Sequence, residues 1–431
     1  MLLEDIVRKI IPRIMVDTLM NASDVVFEKF IDRIADTPKL RKRVLDKFNL
    51  NAVSNDFLVF SYRDICRKGS GDYTLSYQDP LAKDICQGLN KKPGMLHFDR
   101  FLDNTSLYTV RDNVRRKDCY VIFNPNSESD IDGEILRLMM LTKTLKSAHC
   151  RNITAVVPCL PYSRQDQTYG KRQLVAAKFL ADILDHAGID HMITIGLHSP
   201  QIEGFYKSID HLKTRPIFSD YLLNKVDQSF KNIVQLNGDY EEDNIKFYRE
   251  HVRLISPDAG GMRGVNELRR DMDPDRLIDV GFIQKERVGV NVSESGKVVG
   301  DVAGKIVVLY DDLLDTGGSL FGAAKSLKAA GATYVISCID HALGNSKVDE
   351  HSFEQKLHDS DIDELIITNT KPEFYERVIT DKRLASKITI LSVAPLLTQA
   401  IIRDQQGYTI REMVESVGKE NLYHVLHQKT G

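Results

Sequence analysis

The chain has 431 residues, 42% of them hydrophobic and 28% charged, an ordinary soluble balance with room for two or three domains. A net charge of −3 argues against a strongly basic nucleic-acid binder and against a long acidic tail, so any basic binding surface must be local. The six cysteines (Cys66, Cys86, Cys119, Cys150, Cys159 and Cys338) show no CxxC pair and no metal-ligand spacing, and no apolar stretch reaches membrane-spanning length, so a cytoplasmic protein with free thiols is expected.

Residues 1–52 read as a helical extension, with Leu3, Ile6, Val7, Ile10, Ile11 and Ile14 at helical spacing and Val25, Phe27, Phe30, Ile31 and Ile34 repeating the pattern. The charges at Glu4, Asp5, Arg8, Lys9 and Arg13 interrupt anything resembling a signal-peptide core. From residue 57 short apolar runs alternate with amphipathic stretches. "FLVFSY" precedes "DPLAKDICQGL", "DCYVIF" precedes "GEILRLMMLTKTLKSA", and "NITAVVPCL" precedes "QLVAAKFLADILDHAG" and "HMITIGLHS". A second series runs through "VRLISPDAGG", "KIVVLYDD", "TYVISCID" and "ELIITNT". Strand followed by helix, repeated, predicts mainly parallel sheets flanked by helices, in two α/β halves. The polar stretch "VDQSFKNIVQLNGDYEEDNIKF" reads as an inserted excursion.

The densest chemistry lies in "VVLYDDLLDTGGSL", residues 307–320. A buried strand ends in Asp311 and Asp312, and Asp315, Thr316, Gly317, Gly318 and Ser319 then lead into a helix. Bare glycines let backbone N–H groups converge on an anion, and a helix N-terminus adds partial positive charge. Two acids at the end of a parallel strand suit sugar hydroxyls or a phosphate-bound Mg²⁺. The same letters also suit a tight turn with helix-capping acids. The loop is not a Walker A motif, because it lacks Gly-Lys-Ser/Thr.

This stretch resembles the phosphoribosyl pyrophosphate-binding motif of type I phosphoribosyltransferases and of the phosphoribosyl pyrophosphate synthetases. The resemblance implies that Asp311 and Asp312 hold ribose hydroxyls and that Asp315–Ser319 hold the 5-phosphate. Further segments are similar to the synthetases, in the family's order, over roughly residues 55–415. "PYSRQD" implies ATP contacts from Arg164 and Gln165. "FLDNT" resembles an ATP loop supplied by a neighbouring subunit, implying Phe101 and Asp103. "GLHSPQIEGFY" and "LISPDAGG" imply Mg²⁺ ligands at His198 and Asp258. "DVGFIQKER" is similar to a catalytic loop, implying Lys285 and Arg287.

The resemblance therefore implies two phosphoribosyltransferase-like α/β domains, 53–215 and 216–400, followed by a helical tail over 401–431. It implies a ribose-phosphate diphosphokinase that uses ATP, ribose 5-phosphate and Mg²⁺ and works as a homo-oligomer. The charge balance and the lack of a membrane-length apolar stretch lead to the expectation of no nucleic acid and no membrane as partners. Three alternatives share parts of the pattern: a pyrophosphokinase for a larger acceptor such as ADP-ribose, a non-catalytic synthetase-associated subunit, and a phosphoribosyltransferase. The chain departs from the family at Thr105, where relatives carry Glu, at Gly196, where they carry Asp, and around Gln167, Thr168 and Tyr169.

Overall fold

Ile153–Val157, Glu364–Thr368 and Ile388–Ser392 are buried at every position. Continuous apolar strands of this kind belong to parallel sheets covered on both faces. The structure is a computed structural model that describes residues 57–429 apart from 63–64, 69–72, 77–78, 104, 127–129, 169, 226–229, 231–232, 234–243, 285–295, 347–350, 411–412, 414–418 and 420–421. The expected extension over 1–52, and Lys285 and Arg287, lie outside the described residues.

The first half runs β1 (Phe57–Ser61), β2 (Ile65–Lys68), β3 (Tyr73–Ser76), α1 (Pro80–Gly88), β4 (Leu96–Arg100), β5 (Ser106–Val110), β6 (Asp118–Ile122), α2 (Ile131–Ser147), β7 (Ile153–Val157), α3 (Ala176–Ala187), β8 (His191–Ile195) and β9 (Ile209–Leu212). Strands β1-β6-β7-β8-β9 form a five-stranded sheet in that order, parallel throughout. A second sheet, β3-β2-β4-β5, stands apart from it, with antiparallel hairpins at β2/β3 and β4/β5. The sequence reading assigned no structure to residues 63–77. Four-residue strands such as "ICRK" are too short and too charged to display a period of two.

The second half contains α4 (Arg215–Asn224), α5 (Asn244–His251), β10 (Val252–Ser256), α6 (Met262–Met272), β11 (Asp279–Gln284), β12 (Lys297–Val299), β13 (Ile306–Leu314), α7 (Gly318–Ala329), β14 (Tyr334–Ala342), α8 (Phe353–Asp359), β15 (Glu364–Thr368), α9 (Pro372–Thr380), α10 (Lys382–Ala385), β16 (Ile388–Ser392), α11 (Ala394–Gln406) and β17 (His424–His427). Its sheet is ordered β12-β11-β10-β13-β14-β15-β16-β17, with antiparallel strands only at the two edges. The expected helical tail over 401–431 is corrected here. Helix α11 ends at Gly407, whose φ of 69° caps it. The chain then returns as β17, which pairs with β16 and covers an otherwise open sheet edge.

The end of α11 ties the two halves together. It packs on α1, and Gly88 leaves no side chain there because a Cβ would lie 2.9 Å from Thr398 Oγ1. Tyr120 OH donates to Asp404 Oδ2 at 2.5 Å, and Gln405 Nε2 donates to Tyr120 OH at 2.9 Å. Residues 55–431 accordingly form one unit. No described helix is long and apolar enough to cross a membrane, and the five described cysteines are free.

Candidate active site

Strand β13 is buried from Ile306 to Tyr310 and reaches the surface at Asp311 and Asp312. Its neighbours in the sheet are β10 and β14, so Asp258, two residues beyond β10, ends up beside the same strand tip. Gly261 N–H donates to Asp258 Oδ1 at 3.1 Å. Beyond β13, Asn345 anchors the loop by donating from its Nδ2 to Asp315 Oδ1 at 2.9 Å and from its backbone to Asp315 O at 3.0 Å. Gly317 takes φ 79°, and a Cβ there would sit 2.4 Å from the Phe321 ring. Only glycine meets both demands. The loop then enters α7 at Gly318, and the start of a helix turns N–H groups with no intrahelical acceptor toward the loop before it.

The first half supplies the opposite wall. After β7 the chain turns through Tyr162, whose φ of 59° is unusual for a bulky residue. The Tyr162 hydroxyl bonded to Asp132 and the Gln165 N–H bonded to Tyr162 O at 2.8 Å hold that turn. Arg164 thereby reaches across and pairs with Asp315 at 2.9 Å. Gln165 is exposed beside it, while Asp166 is buried and accepts hydrogen bonds from Ser199 and from Gln201 Nε2, the latter at 2.7 Å. Asp166 thus ties the "SRQD" turn to the segment carrying His198. His198 Nδ1 lies 2.5 Å from Asp312 Oδ2.

Electrostatics follow from this crowding. Burial and the adjacent Asp312 raise Asp311 above the ordinary carboxyl range, and Asp258 adds to the effect. For Asp312 burial pushes the same way, but the hydrogen bond and charge of His198 outweigh it and hold the group low. The Asp312 bond in turn raises His198 against its own desolvation. Two adjacent carboxyl groups at one strand end resist double ionisation, so the tip is short of positive charge.

Of the residues singled out from the sequence, Asp311, Asp312, Asp315–Ser319, Asp258, His198, Arg164 and Gln165 converge at this seam. Phe101 and Asp103 sit instead at the tip of the β4–β5 hairpin, on a different sheet. Phe101 is 58% exposed and the adjacent Leu102 fully so. Thr105 donates to Asp103 Oδ1 from its hydroxyl at 2.6 Å and its backbone at 3.0 Å, which lowers the Asp103 carboxyl. Sequence reasoning missed Asn345 and the structural role of Asp166. Among the described residues no three His, Cys, Asp or Glu side chains form a metal cage. Mg²⁺ needs none, since it keeps several waters and commonly takes one or two carboxylates plus substrate phosphates. A strand tip crowded with Asp258, Asp311 and Asp312 fits such a cation.

Parallel α/β halves with a glycine loop beyond the carboxyl end of a strand define an α/β protein that binds its ligand at that end of the sheet. The family model for the N-terminal domain of ribose phosphate pyrophosphokinase matches residues 73–188, and the model for the phosphoribosyl synthetase-associated domain matches 282–413. Ribose-phosphate pyrophosphokinase of Oceanobacillus iheyensis is 32% identical over 348 residues, 80% of this chain and 96% of the relative. The Bacillus subtilis protein of the same name is 31% identical over 341 residues, 78% and 95% of the two chains. The crystal structure of phosphoribosylpyrophosphate synthetase from Mycobacterium smegmatis superposes with a TM-score of 0.65 at 25% identity, covering 82% of this chain and all of that one. The chain belongs to the ribose-phosphate pyrophosphokinase family.

Proposed function

We propose that the chain transfers the β,γ-diphosphate of ATP to the 1-hydroxyl of ribose 5-phosphate, giving phosphoribosyl pyrophosphate and AMP. The observation that carries this reading is the seam itself. A two-acid strand end and a glycine anion loop from one half meet Arg164 and His198 from the other. Asp311 and Asp312 take the ribose hydroxyls, and Asp315, Thr316, Gly317, Gly318 and Ser319 take the 5-phosphate. The 1-hydroxyl oxygen then attacks the β-phosphorus, and the bond from that phosphorus to the α,β-bridging oxygen breaks. AMP leaves with the bridging oxygen, and the hydroxyl proton passes to solvent. Such chemistry asks the protein for positioning and charge neutralisation more than for a general base.

His198 and Asp258 would hold Mg²⁺, which supplies positive charge for the transferring diphosphate. Arg164 and Gln165 contact the nucleotide. Phe101 and Asp103 do so from an adjacent copy of the chain, consistent with an exposed apolar hairpin tip, so the working form is a homo-oligomer. Lys285 and Arg287 close over the transferring group. The protein acts in the cytoplasm on these small molecules. The acceptor is tested by measuring AMP release with ribose 5-phosphate or ADP-ribose under Mg-ATP. Ribose 5-phosphate should give the higher kcat/KM, and a preference for ADP-ribose would replace it as the acceptor.

A further inference from the structure

The backbone leading to His198 is gripped by two other histidines. On one side Leu197 N–H donates to His211 Nε2 at 2.8 Å. His211 is held neutral because burial and the nearby Lys213 bring it down to about 4. On the other side His341 Nε2 lies 3.2 Å from Ile195 O and 3.1 Å from Gly196 O. Carbonyl oxygens only accept, so this nitrogen carries a proton. His341 Nδ1 lies 2.8 Å from Thr370 Oγ1, whose own hydrogen is directed to Asp340 O at 3.1 Å. Thr370 thus anchors the Nδ1 side of the ring. Burial opposes a charge on the ring, but the charge and hydrogen bond of the ionised Cys159 sulfur, together with the charge of Asp340, raise His341 to about 9.

The fit around Gly196 is tight. Its φ is 53°, and a Cβ would lie 2.9 Å from both Asp340 Oδ2 and His341 Nε2. The space beside residue 196 is thus filled from the other half of the molecule. Asp340 is itself fixed by Thr214 Oγ1 and by Tyr310 OH, the latter at 3.0 and 3.2 Å from its two oxygens. Both Asp340 and His341 belong to β14, whose register sets Asp311 opposite Ile339 and Leu313 opposite His341. The strand that flanks the two ribose acids also grips the segment that delivers His198 to Asp312.

We propose that His341, braced by Asp340, is a positioning residue that holds the Ile195–Gly196 carbonyls and so keeps His198 on Asp312 and Asp312 aimed at the ribose. This rests on the assignment of Asp312 to ribose binding made above. The test is ribose 5-phosphate affinity by calorimetry on the full chain without metal or nucleotide, alongside the split between kcat and KM with Mg-ATP. Wild type should bind, and absence of binding would overturn the assignment and this inference with it. His341→Ala should weaken ribose 5-phosphate binding and raise its KM about tenfold, the usual size of a loss one shell out from a ligand-holding group. His341→Gln, which restores a donor for the carbonyls, should recover much of that loss. Gly196→Ala pushes on the same contact from the opposite side and should reproduce the effect even if His341→Ala does not fold. Wild-type affinity in either folded variant, or a fall in melting temperature with KM unchanged, would overturn the proposal.

Discussion

Arg164 Nη1 lies 2.9 Å from Asp315 Oδ2, which joins the turn after β7 in one half to the glycine loop after β13 in the other. The side chains are 57% and 37% exposed, and an ion pair so open to water contributes only about 0–1 kcal/mol. Stability therefore does not account for its position, whereas the role proposed for Arg164 at the nucleotide would. Arg164→Ala should leave the melting temperature within a few degrees of wild type while raising KM for ATP. A stability loss with unchanged nucleotide kinetics would contradict this role.

Replacing Asp311 with Asn and Asp312 with Ala together should remove ribose 5-phosphate affinity while the fold persists, because both side chains lie on the partly exposed stretch of β13 rather than in the core. Each charge-assisted hydrogen bond lost is worth roughly 1.5–3 kcal/mol. Calorimetry on the double variant checks this, and binding of ribose 5-phosphate equal to wild type would remove the assignment.

Gly317→Ala meets two obstacles, a φ of 79° and the Phe321 ring 2.4 Å from the new methyl. Backbone strain of this kind costs on the order of 1–3 kcal/mol, and here it falls on the loop proposed to hold the 5-phosphate. The expected result is a large rise in KM for ribose 5-phosphate with a smaller change in KM for ATP. Equal rises for both substrates would argue for general damage instead.

Asp273 gives the clearest acid-sensitive contact. It is fully buried and accepts hydrogen bonds from Arg249, at 2.6 and 3.1 Å, and from the backbone of Leu277 and Ile278. The Arg249 bonds come first in holding its carboxyl down, to about 2 from an ordinary 3.8. A depressed carboxyl stabilises fully above its unfolded value and loses that contribution as pH falls through its folded value. In denaturant titrations the gap between wild type and Asp273→Asn should be widest above about pH 4 and close toward pH 2. A gap independent of pH would contradict the sign.

Lys285 and Arg287 lie outside the described residues, and the family resemblance alone assigns them to the closing loop. Groups that act mainly on the transition state affect turnover more than ground-state binding. Alanine at either position should lower kcat by on the order of 10², with both KM values little changed. A large rise in KM at constant kcat would mean uniform binding instead.

The parallel strands and the Asp311–Ser319 loop were legible because each is written in consecutive letters. The apolar run Ile306–Tyr310 meets two acids, although β13 itself continues past them to Leu314, and the glycines of the loop follow within a few residues. The β2–β5 sheet was not legible, since strands of four or five residues with charged positions have no clear period. Nor was β17, where "HVLH" pairs only because β16 leaves an edge open. Within the site, Asp311, Asp312 and the glycines could be found locally. Asn345, Asp166 and His341 could not. Each acts through partners about 30 or more residues distant along the chain, such as Asp315, Ser199 and Gly196, and no local spacing announces such contacts.

Transfer of an intact diphosphate is the central claim, and ATP labelled at the β-phosphorus tests it most directly. With Mg²⁺ and ribose 5-phosphate, the label should move to the sugar product while unlabelled AMP appears in equal amount. Label retained on a nucleotide, with ADP as the product, would mean transfer of a single phosphoryl group and would contradict the account.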